Sequence, residues 1–418
     1  ARVAGDPSRR GLTLMLSTCL KSSQLRCCYS HARRAAASPI GRASPVWKKQ
    51  APLPTQRAQF GTLSTSNPCA SNETGRWTMP SQKRAATDTV AQAGKKAKDD
   101  GAQGGKAPKE RPVFERTETP RRCDPSKEDE RHFKAMAWNV AGLRPLLNNA
   151  PEALTRLVEK EKPDLLCLIE TKLQEAHKEE FGGKLQELLP QYSRIWNFST
   201  AKKGYSGLVV LMKKQEGKAK EAKAIIAKHK DLGIPALTKD YNAEGRVISF
   251  ELEKAWVVFA YVPNSGMDLK RLDYRIGDWE RDMCAFLSKL QEDKPVIYGG
   301  DFNVAHLDDD IWNVDAKHIP KSAGTTPAER RAFGEMLESV NLVDAFRHYH
   351  PEAKGAFTYW SVRAGNRPYN RGLRLDYFVC SESLLTEEGN GGVKVIDAWH
   401  DPDVPKGDHC PVGITFAL

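Results

Sequence analysis

The chain has 418 residues, room for one large domain or two ordinary ones, and a net charge of +11 that is unevenly placed. Residues 1–98 hold 17 Lys and Arg against Asp6, Glu73 and Asp88, whereas the remainder holds 47 basic and 50 acidic side chains, so a folded part that binds nucleic acid needs a local basic face. Nine cysteines without a CxxC pair, four of them (Cys19, Cys27, Cys28, Cys69) in the basic segment, argue against a disulfide framework and a zinc ribbon, and no apolar run reaches the length of a membrane span.

Residues 1–78, rich in Arg, Ser and Ala, cannot bury a core. They read as a disordered tail resembling a mitochondrial transit peptide, or as a plain tail, or as translated sequence upstream of a start at Met79. Residues 79–131 read as a disordered linker. Within it, Lys83 and Arg84, then Lys95, Lys96 and Lys98, have the spacing of a two-part nuclear import signal, the alternative being a solvated basic linker. The expected location is the nucleus, with the mitochondrion as a second address.

The folded domain is expected over residues 132–418. Residues 133–139 (FKAMAWN) predict a strand ending at Asn139, residues 151–161 a helix, and residues 164–170 (DLLCLIE) a buried strand ending in Glu170. A carboxylate directly after such a run belongs at the rim of a sheet, while Cys167 inside it reads as core. Residues 207–212 predict another strand, and the lysine-rich stretch 213–230 has some helical character with a solvated face. Residues 246–252 and 256–261 read as paired strands, the second leading into Tyr261 and Asn264, and residues 269–290 as an amphipathic helix. Residues 295–298 predict a strand, after which Gly299 and Gly300 turn the backbone sharply to present Asp301 and Asn303 on one face. Residues 304–326 look irregular and too polar for core. Pro327 opens a helix running to about Val340, and residues 374–379 predict a strand whose lone acid, Asp376, calls for a His partner. The last strand, 412–418, follows Asp408 and His409.

Polar residues thus recur where predicted strands stop, and strand ends from two packed sheets can converge on one rim. The residue types suit metal-assisted hydrolysis of a phosphodiester. Glu170, Asp408 and Asn139 are oxygen ligands suited to magnesium, and a single His beside an Asp is a poor zinc set. Asp301 can take a proton from an attacking water; His409 held by Asp376, with Tyr261 and Asn303, can place positive charge or hydrogen bonds on the phosphate.

The segments WNVAGLR (138–144), LIETK (168–172), GYSG (204–207), EGRVI (244–248), AYVPN (260–264), GDFNVAH (300–306), AGTTPAER (323–330), RLDYF (374–378) and GDHCP (407–411) occur in this order across the domain. In them the sequence resembles the exonuclease III family of apurinic/apyrimidinic endonucleases, within the endonuclease/exonuclease/phosphatase superfamily. The resemblance implies a four-layer α/β sandwich, two mixed β-sheets face to face and flanked by helices. It also implies a magnesium-dependent cut 5′ to an abasic site in duplex DNA, leaving a 3′ hydroxyl and a 5′ deoxyribose phosphate, with 3′-phosphodiesterase and 3′-5′ exonuclease side activities. One or two Mg2+ ions, replaceable by Mn2+, fall to Asn139, Glu170, Asp301, Asn303, Asp408 and His409. Tyr261, Asp301, Asn303, Asp376 and His409 take the catalytic roles, and Arg144, Asn264, Arg271, Tyr359, Leu373 and Leu375 the contacts to DNA and to the flipped sugar. The expected protein is a monomer acting on DNA, with no membrane. It departs from the family pattern at Ala141, where Asp or Asn is common, at Ile169, at Leu373, where an aromatic is common, and over residues 317–322. A non-catalytic nucleic-acid-binding protein and a phosphodiesterase for RNA ends or small phosphates are the competing readings.

Overall fold

The run LLCLI forms a strand in which all five side chains are buried, β2 (Leu165–Ile169), because one face meets a second sheet and the other meets helices. The computed structural model describes residues 111–124, 132–214, 223–226 and 241–418. The transit-like segment 1–78 and the import signal at Lys83, Arg84, Lys95, Lys96 and Lys98 lie outside the described residues. So does most of the lysine-rich stretch 213–230; of its described residues, Lys213 ends one strand and 223–226 form another, not the helix expected. No helix among the described residues is long and apolar enough to cross a membrane.

One sheet contains β1 (His132–Asn139), β2, β3 (Tyr192–Asn197), β4 (Leu208–Lys213), β11 (Lys394–His400) and β12 (Val412–Ala417), in the order β11-β12-β1-β2-β4-β3. The other contains β5 (Lys223–Ile226), β6 (Val247–Glu251), β7 (Trp256–Tyr261), β8 (Val296–Asp301), β9 (Leu342–Asp344) and β10 (Asp376–Ser381), in the order β5-β6-β7-β8-β10-β9. Each sheet has one parallel pair, β1 with β2 and β7 with β8, and is otherwise antiparallel. Both sheets are therefore mixed, as the sandwich requires.

The period-two geometry of strands builds the layers. From β1, Phe133, Ala135 and Ala137 face the other sheet, while Met136 and Trp138 face α1 (Leu143–Asn149), α2 (Pro151–Glu161) and α3 (Lys178–Leu188). From β7, Val257 and Phe259 face inward, while Val258 and Ala260 meet α4 (Glu280–Gln291) and α5 (Pro327–Ser339). Phe259 sits edge-on between Phe250 and Phe378 at 6.1 and 6.2 Å, and truncating such a ring to alanine costs about 3–5 kcal/mol. A short α6 (Ala345–Tyr349) follows β9.

Four expectations need correction. First, β8 does not stop at its glycines but runs through them to Asp301. Gly299 is required because the Phe378 ring occupies the place of a Cβ, and Gly300, at φ +142°, because the Ala260 carbonyl does. Second, the helix over 269–290 is a π-turn (Tyr274–Trp279) followed by α4. The widened turn sets buried Arg275 against Glu280 at 2.7 Å and the Phe302 carbonyl at 3.0 Å. Third, residues 304–326 bury Val304, Ala305, Ile311 and Ile319, and Asp310 is fully buried because Arg374 and Arg347 neutralise it at 2.7 and 2.6 Å. Fourth, residues 111–124 of the expected linker lie along the domain, with Arg121 bonded to Glu161 and Asp397, both at 3.0 Å.

Candidate active site

Register brings three of the sequence-predicted residues side by side. Asp301, the last residue of β8, pairs with Asp376, the first of β10, on one side and with Tyr261, the last of β7, on the other. The facing sheet contributes Asn139 at the end of β1, Glu170 after β2, and Asp408 and His409 before β12. Two hydrogen bonds then cross between the sheets. Asn139 Nδ2 donates to Asp301 Oδ2 at 2.8 Å, and His409 Nδ1 meets Asp376 Oδ2 at 2.7 Å, all four residues being buried. His409 Nε2 stands 3.9 Å from Asp301 Oδ2.

Backbone strain collects at the same rim. Ala141, Glu170 and Asn303 hold φ of 51°, 59° and 50°, a region that side chains other than glycine and asparagine rarely enter. At Asn303 the reason is visible: the turn lets its N–H donate to Asp301 Oδ1 at 2.9 Å. Asn303 therefore does not share an extended face with Asp301, as the i, i+2 spacing suggested. Its amide is held at both ends, by Val262 O at 3.0 Å and by Asn264 Nδ2 at 2.8 Å, leaving one N–H without a partner among the described residues.

The electrostatics follow from burial and neighbouring charge. Burial, reinforced by Asp376 and opposed by His409, pushes the Asp301 carboxyl up to about 7. Burial opposes charging of His409, but the carboxylates of Asp376 and Asp301 outweigh it and raise the imidazole above its ordinary value, which favours the charged ring. Burial, then Glu170 and Asp301, hold the Tyr261 phenol well above its ordinary value, so it remains a hydrogen-bond donor.

Three of the residues expected to contact DNA lie together beside His409. Tyr359 bridges to both Leu373 and His409, its ring 5.0 Å from the imidazole, and packs with Leu373 on a patch formed by Leu375, Ala305, Ile311 and Ile319. Arg271 instead pairs with Glu244 at 2.9 Å and with the Tyr205 hydroxyl, and Arg144 is exposed with its guanidinium over Phe181.

Several residues at the rim went unassigned in the sequence reading. Arg246 is buried between the rings of Tyr205 and Tyr261, donates to Tyr261 O at 2.8 Å and pairs with Glu244. GYSG and EGRVI contain these residues, but an Arg before a strand carries no sign of the ring it stacks on. Thr358 accepts from the amides of Leu375 and Asp376 at 2.9 and 3.0 Å, and nothing in the sequence marks it.

A divalent cation fits the donor set. Oδ1 of Asp408 is buried with no hydrogen-bond partner among the described residues, an uncompensated carboxylate oxygen that costs free energy unless a positive charge meets it. Glu170 is partly open, and its carboxylate draws the ammonium of Lys172 to 3.1 Å, which also reaches Ala141 O at 3.1 Å. Ligand-type atoms of Asp301, Asp376 and His409 lie within 4.8 Å of one another and are also compatible with a cation, although hydrogen bonds already knit them together.

A sandwich whose two sheets deliver carboxylates, amides, a phenol and an imidazolium to one rim defines a phosphoester hydrolase. The family described as Endonuclease/Exonuclease/phosphatase matches residues 136–394. The chain is 38% identical over 296 residues to a DNA-(apurinic or apyrimidinic site) endonuclease of Dictyostelium discoideum, covering 71% of this chain and 73% of the relative. It is 39% identical over 286 residues to an exodeoxyribonuclease of Bacillus subtilis, covering 68% of this chain and 100% of the relative. The crystal structure of an AP endonuclease from Leishmania major superposes with a TM-score of 0.61 at 33% identity, covering 72% of this chain and 93% of that one. The chain belongs to the endonuclease/exonuclease/phosphatase family, in its exonuclease III-like AP endonuclease branch.

Proposed function

We propose that the protein is a magnesium-dependent abasic-site endonuclease that hydrolyses the phosphodiester 5′ to the lesion in duplex DNA, leaving a 3′ hydroxyl and a 5′ deoxyribose phosphate. The observation that carries the reading is the position of Asp301. One carboxylate oxygen is fixed by Asn139, the other by the Asn303 amide, and His409 stands within 3.9 Å. A base so tied is held in one orientation toward a water, which is worth more than its basicity alone.

The remaining roles follow from the donors. His409, its Nδ1 proton committed to Asp376, presents Nε2–H to a phosphoryl oxygen. Tyr261 and the remaining N–H of Asn303 add donors to the same developing charge, in a buried setting where each bond is stronger than in water. Arg246, bonded to Tyr261 O, fixes the phenol's backbone. Glu170, Asp408 and Asn139 are the oxygen donors suited to Mg2+, which when bound supplies Lewis acidity toward the phosphate. Tyr359, Leu373 and Leu375 form an apolar wall beside His409 that accommodates a sugar lacking its base.

The test is incubation of the full chain with duplex DNA carrying one abasic analogue, with Mg2+ and then with chelator. Metal-dependent incision on the 5′ side supports the reading; tight binding without incision favours a non-catalytic nucleic-acid-binding protein instead.

A further inference from the structure

Residues 111–117 run along the hairpin that carries the pocket wall, residues 354–373, and are fastened to it at several points. Phe114 N donates to Tyr369 O at 2.9 Å and Thr117 N to Lys354 O at 2.8 Å, while Lys354 N returns to Thr117 Oγ1 at 3.0 Å. Arg371 donates to Pro112 O at 3.0 Å, and Arg111 donates to Ala364 O at 3.1 Å. At Gly355, φ +66°, the Glu115 carbonyl passes so close that no Cβ fits between them. The Phe114 ring lies 5.5 Å from Phe357, in an apolar cluster with Trp360 and Cys410.

Asn370 and Trp360 connect this segment to the site. Asn370 Nδ2 donates to Phe114 O and Gly355 O at 3.2 and 3.0 Å, and its Oδ1 accepts from Trp360 Nε1 at 3.1 Å. Trp360 N in turn donates to Asp408 O at 2.7 Å. On the other strand of contacts, Cys410 N donates to Thr358 O at 2.8 Å, and Thr358 Oγ1 holds the amides of Leu375 and Asp376. Two side chains therefore separate the backbone of Phe114 from that of Asp408.

We propose that residues 111–117 are a positioning element for the site, acting through Asn370 and Trp360 to hold Tyr359 and Leu373 beside His409. The inference rests on the abasic-site reading above. Residues 361–366 at the hairpin's end are polar or exposed apart from Trp360 at their base, and a hairpin with few buried contacts opens readily unless something covers it. Phe114 packs on the hairpin's base, against Phe357 and Trp360, and Arg111 reaches its end at Ala364 O, both from outside the catalytic sandwich. It touches no reacting group, so its effect belongs in substrate affinity and discrimination rather than in the chemical step.

The experiment compares the full chain with Phe114→Ala, Phe114→Leu and Asn370→Gly in steady-state incision of abasic duplex with Mg2+, with undamaged duplex as competitor and a thermal melt of each protein. Asn370 has φ 45°, so glycine keeps the backbone while removing the side-chain bonds. Phe114→Ala and Asn370→Gly should each raise KM about tenfold and lose preference over undamaged duplex by a similar factor, with kcat within about threefold. Phe114→Leu should bring KM back to within about twofold of the parent. An unchanged KM in both variants overturns the inference, as does a KM rise matched by a fall in kcat and in melting midpoint that Phe114→Leu shares. Should the parent chain fail to incise, the functional reading falls. The inference is then judged on abasic-duplex affinity by fluorescence anisotropy, where the same about tenfold weakening supports it and equal affinity overturns it.

Discussion

His409 Nδ1 lies 2.7 Å from Asp376 Oδ2, and the bond joins a residue at the edge of one sheet to the first residue of a strand in the other. Because both groups are buried, the carboxylate is what keeps the imidazole charged and its ring in place. Asp376→Asn should therefore lower kcat by roughly a hundredfold or more with a much smaller change in KM, read by single-turnover incision. A loss below about tenfold would remove His409 from the phosphate.

Asp301→Asn keeps the shape and can accept from only one of its two donors, Asn139 or Asn303, and it cannot take up a proton. The chemical step should fall by about a hundred- to ten-thousandfold while abasic duplex still binds, measured as kcat beside equilibrium affinity. Equal losses in affinity and rate would mean that the residue holds the fold of the rim and does no chemistry.

The unpaired oxygen of Asp408 predicts a metal effect. Asp408→Asn should raise the Mg2+ concentration needed for half-maximal incision by about ten- to a hundredfold, with activity partly recovered at high Mg2+. An unaltered Mg2+ titration would place the cation elsewhere.

Leu373, at the wall beside Tyr359, should act on selectivity. If the apolar surface beside His409 receives the abasic sugar as proposed, Leu373→Ala removes part of it, and the ratio of abasic to undamaged incision should fall by about tenfold. An unchanged ratio would leave Leu373 as packing only.

The buried Asp310 predicts acid behaviour. Burial opposes its charge, but Arg374 and Arg347 more than compensate and hold its folded pKa well below the ordinary carboxylate range. A depressed folded pKa means stability that is fully present above the unfolded value near 3.9 and is lost as pH falls toward the folded one. Asp310→Asn should cost about 3–5 kcal/mol at neutral pH by leaving Arg347 without its carboxylate and Arg374 with Asp344 alone. It should also flatten the loss of stability below about pH 4, measured by denaturant melts across pH.

The sequence displayed the parts of this molecule that depend on local pattern. The apolar runs of β2 and β8, the first-turn proline of α5 and the polar residues at strand ends could all be read directly. Strand β3 could not, because YSRIWN is half exposed at a sheet edge and alternates poorly, nor could α3, which has glycines at 182 and 183 and buries only Phe181 and Leu185. The Asp310–Arg374 pair is 64 residues apart in the chain, and Gly299 looked like a turn because its purpose, room for Phe378, lies in another strand. The site's chemistry was legible as residue types; the bond from Asn139 that orients Asp301 depends on two sheets meeting and leaves no local trace.

The bond from Asn139 to Asp301 has a bearing on how the base is aimed. Neither sheet alone contains Asp301 together with both groups that fix its oxygens, because Asn303 comes from its own sheet and Asn139 from the facing one. The orientation of the base is therefore complete only where the two halves are closed on each other.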